Sequence, residues 1–92
     1  MVLNPVSNGS VTGTGTLTIP SGILGAVLIS ADSSTAATVI LRKDNSSGEI
    51  VYKVVTKAPL FTAGPIRIGS QALYYDVTTG SGGAIQVYEW VD

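Results

Sequence analysis

A long β-hairpin is predicted at residues 35–56, where two runs rich in Val, Ile and Tyr flank the turn-forming sequence DNSSG at 44–48. Asp, Asn, Ser and Gly favour turns and are poor in strands. With a four-residue loop at 45–48, the two-residue period of strands predicts five cross-strand pairs: Val39 with Val54, Leu41 with Tyr52, Lys43 with Ile50, Ile40 with Lys53, and Arg42 with Val51. A slip of one residue would mix the two faces, so this register is favoured.

The segments before the hairpin are also typical of strands. In residues 10–19, Thr at every second position alternates with Val, Gly, Leu and Ile, which predicts a half-buried strand with a threonine outer face. Gly13 and Gly15 do not fit a phosphate-binding loop, because the spacing is wrong and no helix follows. We expect them to allow close approach of a backbone or a bulky side chain. Residues 23–31 are apolar on both sides, which predicts a central strand of a packed layer.

After the hairpin, residues 57–64 are predicted to be a connection in which Leu60 and Phe61 plug one end of the core. Strands are predicted at 65–69, with Ile66 and Ile68 inward and Arg67 outward, and then at 71–78 and 84–91. About seven strands at roughly ten-residue spacing predict an all-β fold, an antiparallel β-sandwich or a jelly-roll-like barrel. We expect one domain at 10–92, preceded by residues 1–9 as an N-terminal arm or edge segment.

The composition suggests that part of the surface is covered by another molecule. Charged residues make up 12% of the 92-residue chain, about half the usual fraction for a soluble domain, and the mean hydropathy is positive. One small core cannot enclose so many apolar residues, so a sheet face or an edge is expected to be buried against a neighbour. The alternative is a monomer in which Thr and Ser replace charged groups on the surface.

Several classes of function are disfavoured. The net charge of −1 gives no attraction to nucleic acid or membranes. No apolar run approaches the roughly 20 residues of a membrane helix, and no secretory signal is visible at residues 1–9. All five Lys and Arg residues lie between positions 42 and 67, a polarity that would let the middle of one copy meet the end of another.

We expect no enzymatic activity, no cofactor and no metal site. The chain has no His and no Cys, so it contains no Ser-His-Asp or Cys-His arrangement and no imidazole ligand. Asp76 and Glu89 lie within predicted strands and would serve a glycosidase only if they paired across neighbouring strands beside a cleft. The sequence at 44–47 supplies some oxygen ligands but too few acids for a calcium loop.

The aromatic residues give the best argument for binding. Tyr74 and Tyr75 must point to opposite faces of their strand, whereas Tyr88 and Trp90 share one face. A Tyr and Trp platform can stack sugar rings or form the centre of a protein interface. Alternatively, Trp90 and one Tyr fill the core.

The chain resembles the small all-β head decoration (cement) proteins of tailed bacteriophages. The resemblance is carried by the Thr/Gly-rich strand SVTGTGTLTI, the strand ILGAVLISAD, the hairpin TVILRKDNSSGEIVYKV and the remaining segment from Pro59 to Asp92. It implies a non-enzymatic virion structural protein without a cofactor, frequently trimeric, that binds the major capsid protein across subunit junctions on the capsid exterior and stabilises the shell. Related β-domains also occur in head fibres and as tail accessories.

We therefore predict a contact surface that uses both aromatic and cationic side chains. The candidates are Leu60, Phe61, Tyr88, Trp90, Arg42 and Lys53. The alternative is a carbohydrate-binding or receptor-recognising β-module with Trp90 in its platform.

Overall fold

The computed structural model describes residues 2–6, 11–31, 35–79 and 83–91. These residues form eight strands and no helix: β1 (Val2–Pro5), β2 (Gly13–Thr18), β3 (Ile23–Ser30), β4 (Ala37–Lys43), β5 (Ile50–Thr56), β6 (Leu60–Arg67), β7 (Ala72–Thr78) and β8 (Ala84–Val91). Residues 32–34, before the predicted hairpin, and residues 80–82, between the last two predicted strands, lie outside the described residues. Of the two possibilities for residues 1–9, the structure has an edge strand at Val2–Pro5.

Two four-stranded antiparallel sheets build the domain, which confirms the predicted β-sandwich. The first sheet has the order β1-β8-β3-β6 and the second has the order β2-β7-β4-β5. As predicted, β3 is a central strand, because it pairs with β6 on one side and with β8 on the other. The molecule measures 37 × 29 × 20 Å, the thickness expected for two layers about 10 Å apart with their side chains.

The core lies between the two sheets and consists of aliphatic side chains. Residues from both sheets contribute, as do two residues from connections: Ile19, Leu24, Val27, Ile29, Ala37, Val39, Leu41, Ile68, Leu73, Val77, Ile85 and Val87. At the open side of the sandwich the Tyr52 hydroxyl and the Thr62 hydroxyl are 2.7 Å apart and join the two sheets by a hydrogen bond. No buried side-chain polar atom of the described residues lacks a hydrogen-bond partner.

The prediction for Leu60 and Phe61 was wrong. These residues begin β6, an eight-residue edge strand that also contains Gly64 and Pro65; an edge strand tolerates proline because one of its sides forms no ladder. Only Leu60 packs against the core, while Phe61 is exposed. The end of the core is closed instead by residues of the connections: Ile19, whose N–H donates to Gln71 O, and Ile68, whose N–H donates to Gly22 O.

The hairpin register was predicted correctly up to Leu41, which pairs with Tyr52. Beyond it a β-bulge makes Arg42 pair with Ile50, so the predicted pairs of Arg42 with Val51 and of Lys43 with Ile50 were wrong. Asp44 follows β4 with a positive φ of 70°, and its N–H donates to Ala72 O of β7. The extra residue at the bulge, Val51, packs against the core.

The threonine strand was predicted nearly correctly. Thr14, Thr16 and Thr18 are exposed, as expected. The predicted strand at 10–19 divides, however: Val11 forms a bridge with Ile85 of the first sheet, and β2 begins two residues later in the second sheet. Gly15 permits a close approach, as predicted, because a Cβ there would lie 2.5 Å from the hydroxyl oxygen of Tyr75.

A second β-bulge in β3 decides which residues face outward. Leu24 pairs with Glu89 and Ala26 with Tyr88, so Gly25 is one extra residue relative to β8. An extra residue shifts the alternation of faces, and therefore Leu24 faces the core whereas Ala26 faces outward. A Cβ on Gly25 would lie 2.6 Å from a methyl carbon of Leu3 and 2.9 Å from the backbone carbonyl carbon of Glu89.

We expect Gly25→Ala to destabilise the protein by about 1–3 kcal/mol, the usual cost of overpacking. The new methyl group would collide with the backbone of β8, which cannot rotate away as a side chain can. Chemical denaturation followed by circular dichroism measures the change. Ser30→Ala, at an exposed site on the same strand, is the control and should stay within about 0.5 kcal/mol of wild type. Equal stability of Gly25→Ala and wild type would contradict the tight packing at the bulge.

Candidate functional site

The most distinctive surface of the molecule is the outer face of the first sheet. Strand residues alternate between faces, so those that alternate with the core residues Val27, Ile29, Ile85 and Val87 point away from the second sheet. The cross-strand pairing places the following residues on this outer face: Leu3, Pro5, Ile23, Ala26, Leu28, Ser30, Phe61, Ala63, Arg67, Ala84, Gln86, Tyr88 and Trp90.

This face is apolar and aromatic across all four strands. Phe61 is 52% exposed and Leu3 is 37% exposed, Leu28, Tyr88 and Trp90 are half-buried, and Ala26 is buried. Arg67 is the one charged residue among the strand residues assigned to this face. At about 3.3 Å per residue and about 4.8 Å between strands, four strands of these lengths form a plane of roughly 450 Å². This is the outline of the whole sheet, polar residues included, so the apolar patch on it is smaller than that.

The outer face of the second sheet is more polar. It carries the hydroxyl groups of five threonines from β2, β4 and β7: Thr14, Thr16, Thr18, Thr38 and Thr78. Arg42, Lys53 and Asp76 add charge to it. The same pairings also place Ile40, Ile50, Val55 and Tyr74 on this face, and Val55 and Ile50 are 59% and 43% exposed. The outer face of the first sheet is therefore largely apolar, whereas that of the second sheet is mixed.

The structure separates the six predicted contact residues into three groups. Phe61, Tyr88 and Trp90 lie together on the outer face of the first sheet. Leu60 points inward and packs against the core. Arg42 and Lys53 lie on the opposite side of the molecule, on the outer face of the second sheet.

Sequence reasoning missed Leu3, Leu28 and Ala63 as members of the outer face. A signal for Leu28 was present, because residues 23–29 are apolar on both sides of the strand and only one side can face the core. Ala63 was assigned to a connection, and the pairing of Leu3 with Trp90 joins two residues far apart in the chain. Neither placement follows from local sequence.

Of the two roles considered for the aromatic residues, Trp90 does not fill the core. It lies on the outer face of the first sheet and pairs with Leu3 of β1. The aromatic residues that pack against the core are Tyr52 and Tyr75, and Tyr74 points to the opposite face from Tyr75, as predicted.

The described residues assemble no catalytic carboxylate pair. Asp76 lies on β7 in the second sheet and Glu89 lies on β8 in the first sheet, so the pairing across neighbouring strands that a glycosidase would need does not occur. Asp76 also points outward, whereas Glu89 is only 6% exposed. Among the described parts of the chain, no group of three or more acidic residues could hold a metal ion.

One open cleft of about 470 Å³ lies at the end of the sandwich, between the β2–β3 and β6–β7 connections. Its polar groups serve the fold: Gln71 Nε2 donates to Pro20 O at 3.0 Å, and Ser70 Oγ donates to Asp44 Oδ1 and accepts a hydrogen bond from the N–H of Ala72. None of the residues that line the cleft is acidic. With Arg67 as its one charged lining residue, the cleft lacks the acid and base pair that hydrolysis requires.

Glu89 is the buried charged residue of the described chain, and it joins three segments. Its Oε2 accepts a hydrogen bond of 2.9 Å from Asn4 Nδ2 on β1. Its Oε1 accepts a bond of 3.0 Å from the N–H of Ser21, in the β2–β3 connection. The bond from Asn4, followed by those from Ser21, lowers the pKa of Glu89 below its usual value, although burial opposes the shift. The carboxylate therefore fastens β1 and the Ser21 turn to β8.

No protein-family model, no curated protein and no solved structure matches this chain. In the described part of the chain there is no helix of the length and hydrophobicity needed to cross a membrane.

We expect Glu89→Gln to destabilise the protein by about 1–3 kcal/mol at neutral pH. An amide has one acceptor oxygen, so its NH₂ group would face one of the two donors, Asn4 Nδ2 or the N–H of Ser21. The pKa of Glu89 is lower in the folded protein than in the unfolded chain. The contribution of its carboxylate to the free energy of unfolding is therefore complete above the unfolded pKa of about 4.3, and it is lost as the pH falls through the pKa of the folded state.

The stabilities of wild type and Glu89→Gln should therefore converge in acid, which urea unfolding at a series of pH values measures. Glu49→Gln, at an exposed position beside the hairpin loop, is the matched control and should leave stability unchanged at every pH. A wild-type advantage that persisted undiminished in acid would contradict the role of the Glu89 carboxylate.

Proposed function

We propose that this protein is a non-enzymatic virion structural protein of a tailed bacteriophage, which self-associates and binds the outside of the capsid lattice to stabilise it. The resemblance to head decoration proteins suggests the setting. The observation that carries the structural part of the proposal is the apolar and aromatic outer face of the first sheet, which spans all four strands of that sheet.

The chemistry of the two outer faces favours a permanent assembly over an enzyme or a transient binder. A surface that binds and releases partners usually carries polar and charged groups, whereas permanent interfaces are more apolar. Here the outer face of the first sheet carries Arg67 alone as a charged residue, and three aromatic side chains of the kind found at interface centres lie on it: Phe61, Tyr88 and Trp90. The threonine-rich opposite face suits the outside of a particle that is in contact with water.

A carbohydrate-binding module is the second candidate, and the position of Trp90 outside the core favours it. Sugar rings stack on exposed aromatic faces, but they also need several hydrogen-bonding groups to fix the hydroxyls. Around Trp90 and Tyr88 the neighbouring side chains are aliphatic, including Leu3, Ala26 and Leu28. Gln86 and Ser30 are the nearest polar residues along these strands, so the platform is poorly equipped to select a sugar.

The structural function is tested by adding the purified protein to expanded capsid shells assembled from the major capsid protein of the source phage. We expect saturable cosedimentation at micromolar concentration and a higher melting temperature of the decorated shells. Val27→Asp, which places a charge at a core position that is 1% exposed, should unfold the protein and serves as the control for fold-dependent binding. Absence of saturable binding, together with absence of the protein from purified virions, would refute the capsid role.

The carbohydrate alternative is tested by glycan-array binding of wild type and Trp90→Ala. We expect no glycan to bind above background in either protein, because the platform lacks polar partners. Saturable binding of one glycan that Trp90→Ala weakens by about tenfold or more, as loss of a stacked aromatic would, would instead establish the carbohydrate-binding function.

A further inference from the structure

We propose that the cleft between the β2–β3 and β6–β7 connections binds the phosphate group of a small organic ligand, through Arg67 and the backbone N–H groups of residues 69–71. The volume of the cleft, about 470 Å³, lies within the range of small-molecule sites. The inference is independent of the capsid role, because it uses one end of the sandwich, whereas the proposed function rests on the outer face of the first sheet.

The backbone of the β6–β7 connection supplies hydrogen-bond donors. Residues 69–71 all line the cleft, and no hydrogen bond within the described chain uses the backbone N–H group of any of them. Gly69 has a positive φ of 68°. Successive backbone N–H groups in a turn that passes through the left-handed region form concavities that bind anions. Three consecutive donors on the wall of the cleft are therefore available to phosphate oxygens.

Two cationic side chains lie at the same connection. Arg67 is exposed and lines the cleft, and its guanidinium forms no hydrogen bond or ion pair within the described chain. Lys43 does not line the cleft, but its Nζ lies 3.4 Å from the position that a Cβ on Gly69 would occupy. A guanidinium binds two phosphate oxygens at once through parallel N–H groups. Arg67 is therefore expected to contribute most of the phosphate affinity.

Two carboxylates lie near the cleft without lining it. Asp44 accepts a hydrogen bond from the hydroxyl of Ser70, and the buried Glu89 accepts one from the N–H of Ser21. Their charges offset those of the two cations, so long-range attraction of an anion is weak. The affinity must come from direct hydrogen bonds, and for inorganic phosphate alone we expect a dissociation constant on the order of 1 mM.

The rest of the cleft favours a phosphate ester over the free ion. Its opposite wall is formed by the β2–β3 connection and the start of β3, where Pro20, Gly22 and Ile23 line it. These residues are uncharged, and small-molecule sites typically combine such a surface with a few polar groups that fix the ligand's orientation. A phosphate bound at residues 69–71 leaves this wall free to contact the organic part of an ester.

The test is an NMR titration of the amide signals of the purified protein at neutral pH. The probes are inorganic phosphate, glycerol phosphate and acetate, at an ionic strength held constant with sodium chloride. We expect saturable shifts of the Gly69, Ser70 and Gln71 signals with both phosphate compounds, and a lower dissociation constant for glycerol phosphate. Acetate, which has one charge and two oxygens, should give no saturable shift.

Two matched variants separate a specific site from a general effect of charge. Arg67→Gln should raise the dissociation constant for glycerol phosphate about tenfold, as loss of a charge-assisted hydrogen bond would. Lys57→Gln removes another exposed cation, next to the β6 end at which Leu60 pairs with Ile29, whereas Arg67 pairs with Ile23. This control should bind like wild type. Both sites are exposed, and the melting temperature reports whether each variant is folded.

Absence of saturable shifts at residues 69–71 with both phosphate compounds would overturn the inference. Equal weakening by Arg67→Gln and Lys57→Gln would also overturn it, because overall charge would then explain the binding. Acetate binding as tightly as phosphate would refute the selection of phosphate, and tighter binding of inorganic phosphate than of glycerol phosphate would refute the organic ligand. None of these results bears on binding to capsid shells.

Discussion

A two-layer sandwich encloses one face of each sheet, and the remaining face of each sheet must be compatible with either water or a neighbour. In this protein the two remaining faces differ in chemistry. The second sheet carries threonine hydroxyls and three charged groups on its outer face beside exposed Ile50 and Val55, whereas the first sheet carries mainly aromatic and aliphatic side chains. The described residues form two layers, so none of their strands covers the outer face of the first sheet. The apolar character of that face is the physical basis for the proposed assembly.

Two β-bulges control which residues each face receives. A single extra residue reverses the alternation of all side chains that follow it. At Gly25 this directs Leu24 towards the core and Ala26 towards the outer face of the first sheet. In the hairpin, the bulge between Tyr52 and Ile50 brings Val51 to the core and places Ile50 beside Arg42 on the outer face of the second sheet. Which side chains lie on each outer face therefore depends on the positions of the two β-bulges.

Local sequence pattern predicted most of the strands, but it did not predict which strands lie beside each other. The alternation in β2 predicted its exposed threonines, and the hairpin pairs from Val39 to Leu41 were predicted because turn and strands are contiguous in sequence. The partners of β8 were not predictable in this way. Its pairing with β1 and β3 brings Asn4 and Ser21 to Glu89. The same sheet order places Glu89 and Asp76 in different sheets, so the two carboxylates cannot form a pair across neighbouring strands.

By itself, the sequence determined an all-β chain with more apolar surface than one small core can enclose, because alternation and composition are properties of the chain that no folding can change. Only the tertiary structure decided where that surface lies. Whether Trp90, Phe61 and Leu3 share one face of one sheet depends on the order of strands in the sheet and on the register between them. Both are set by contacts between residues distant in the chain, and a pattern that repeats every two residues contains no information about which strand lies beside which.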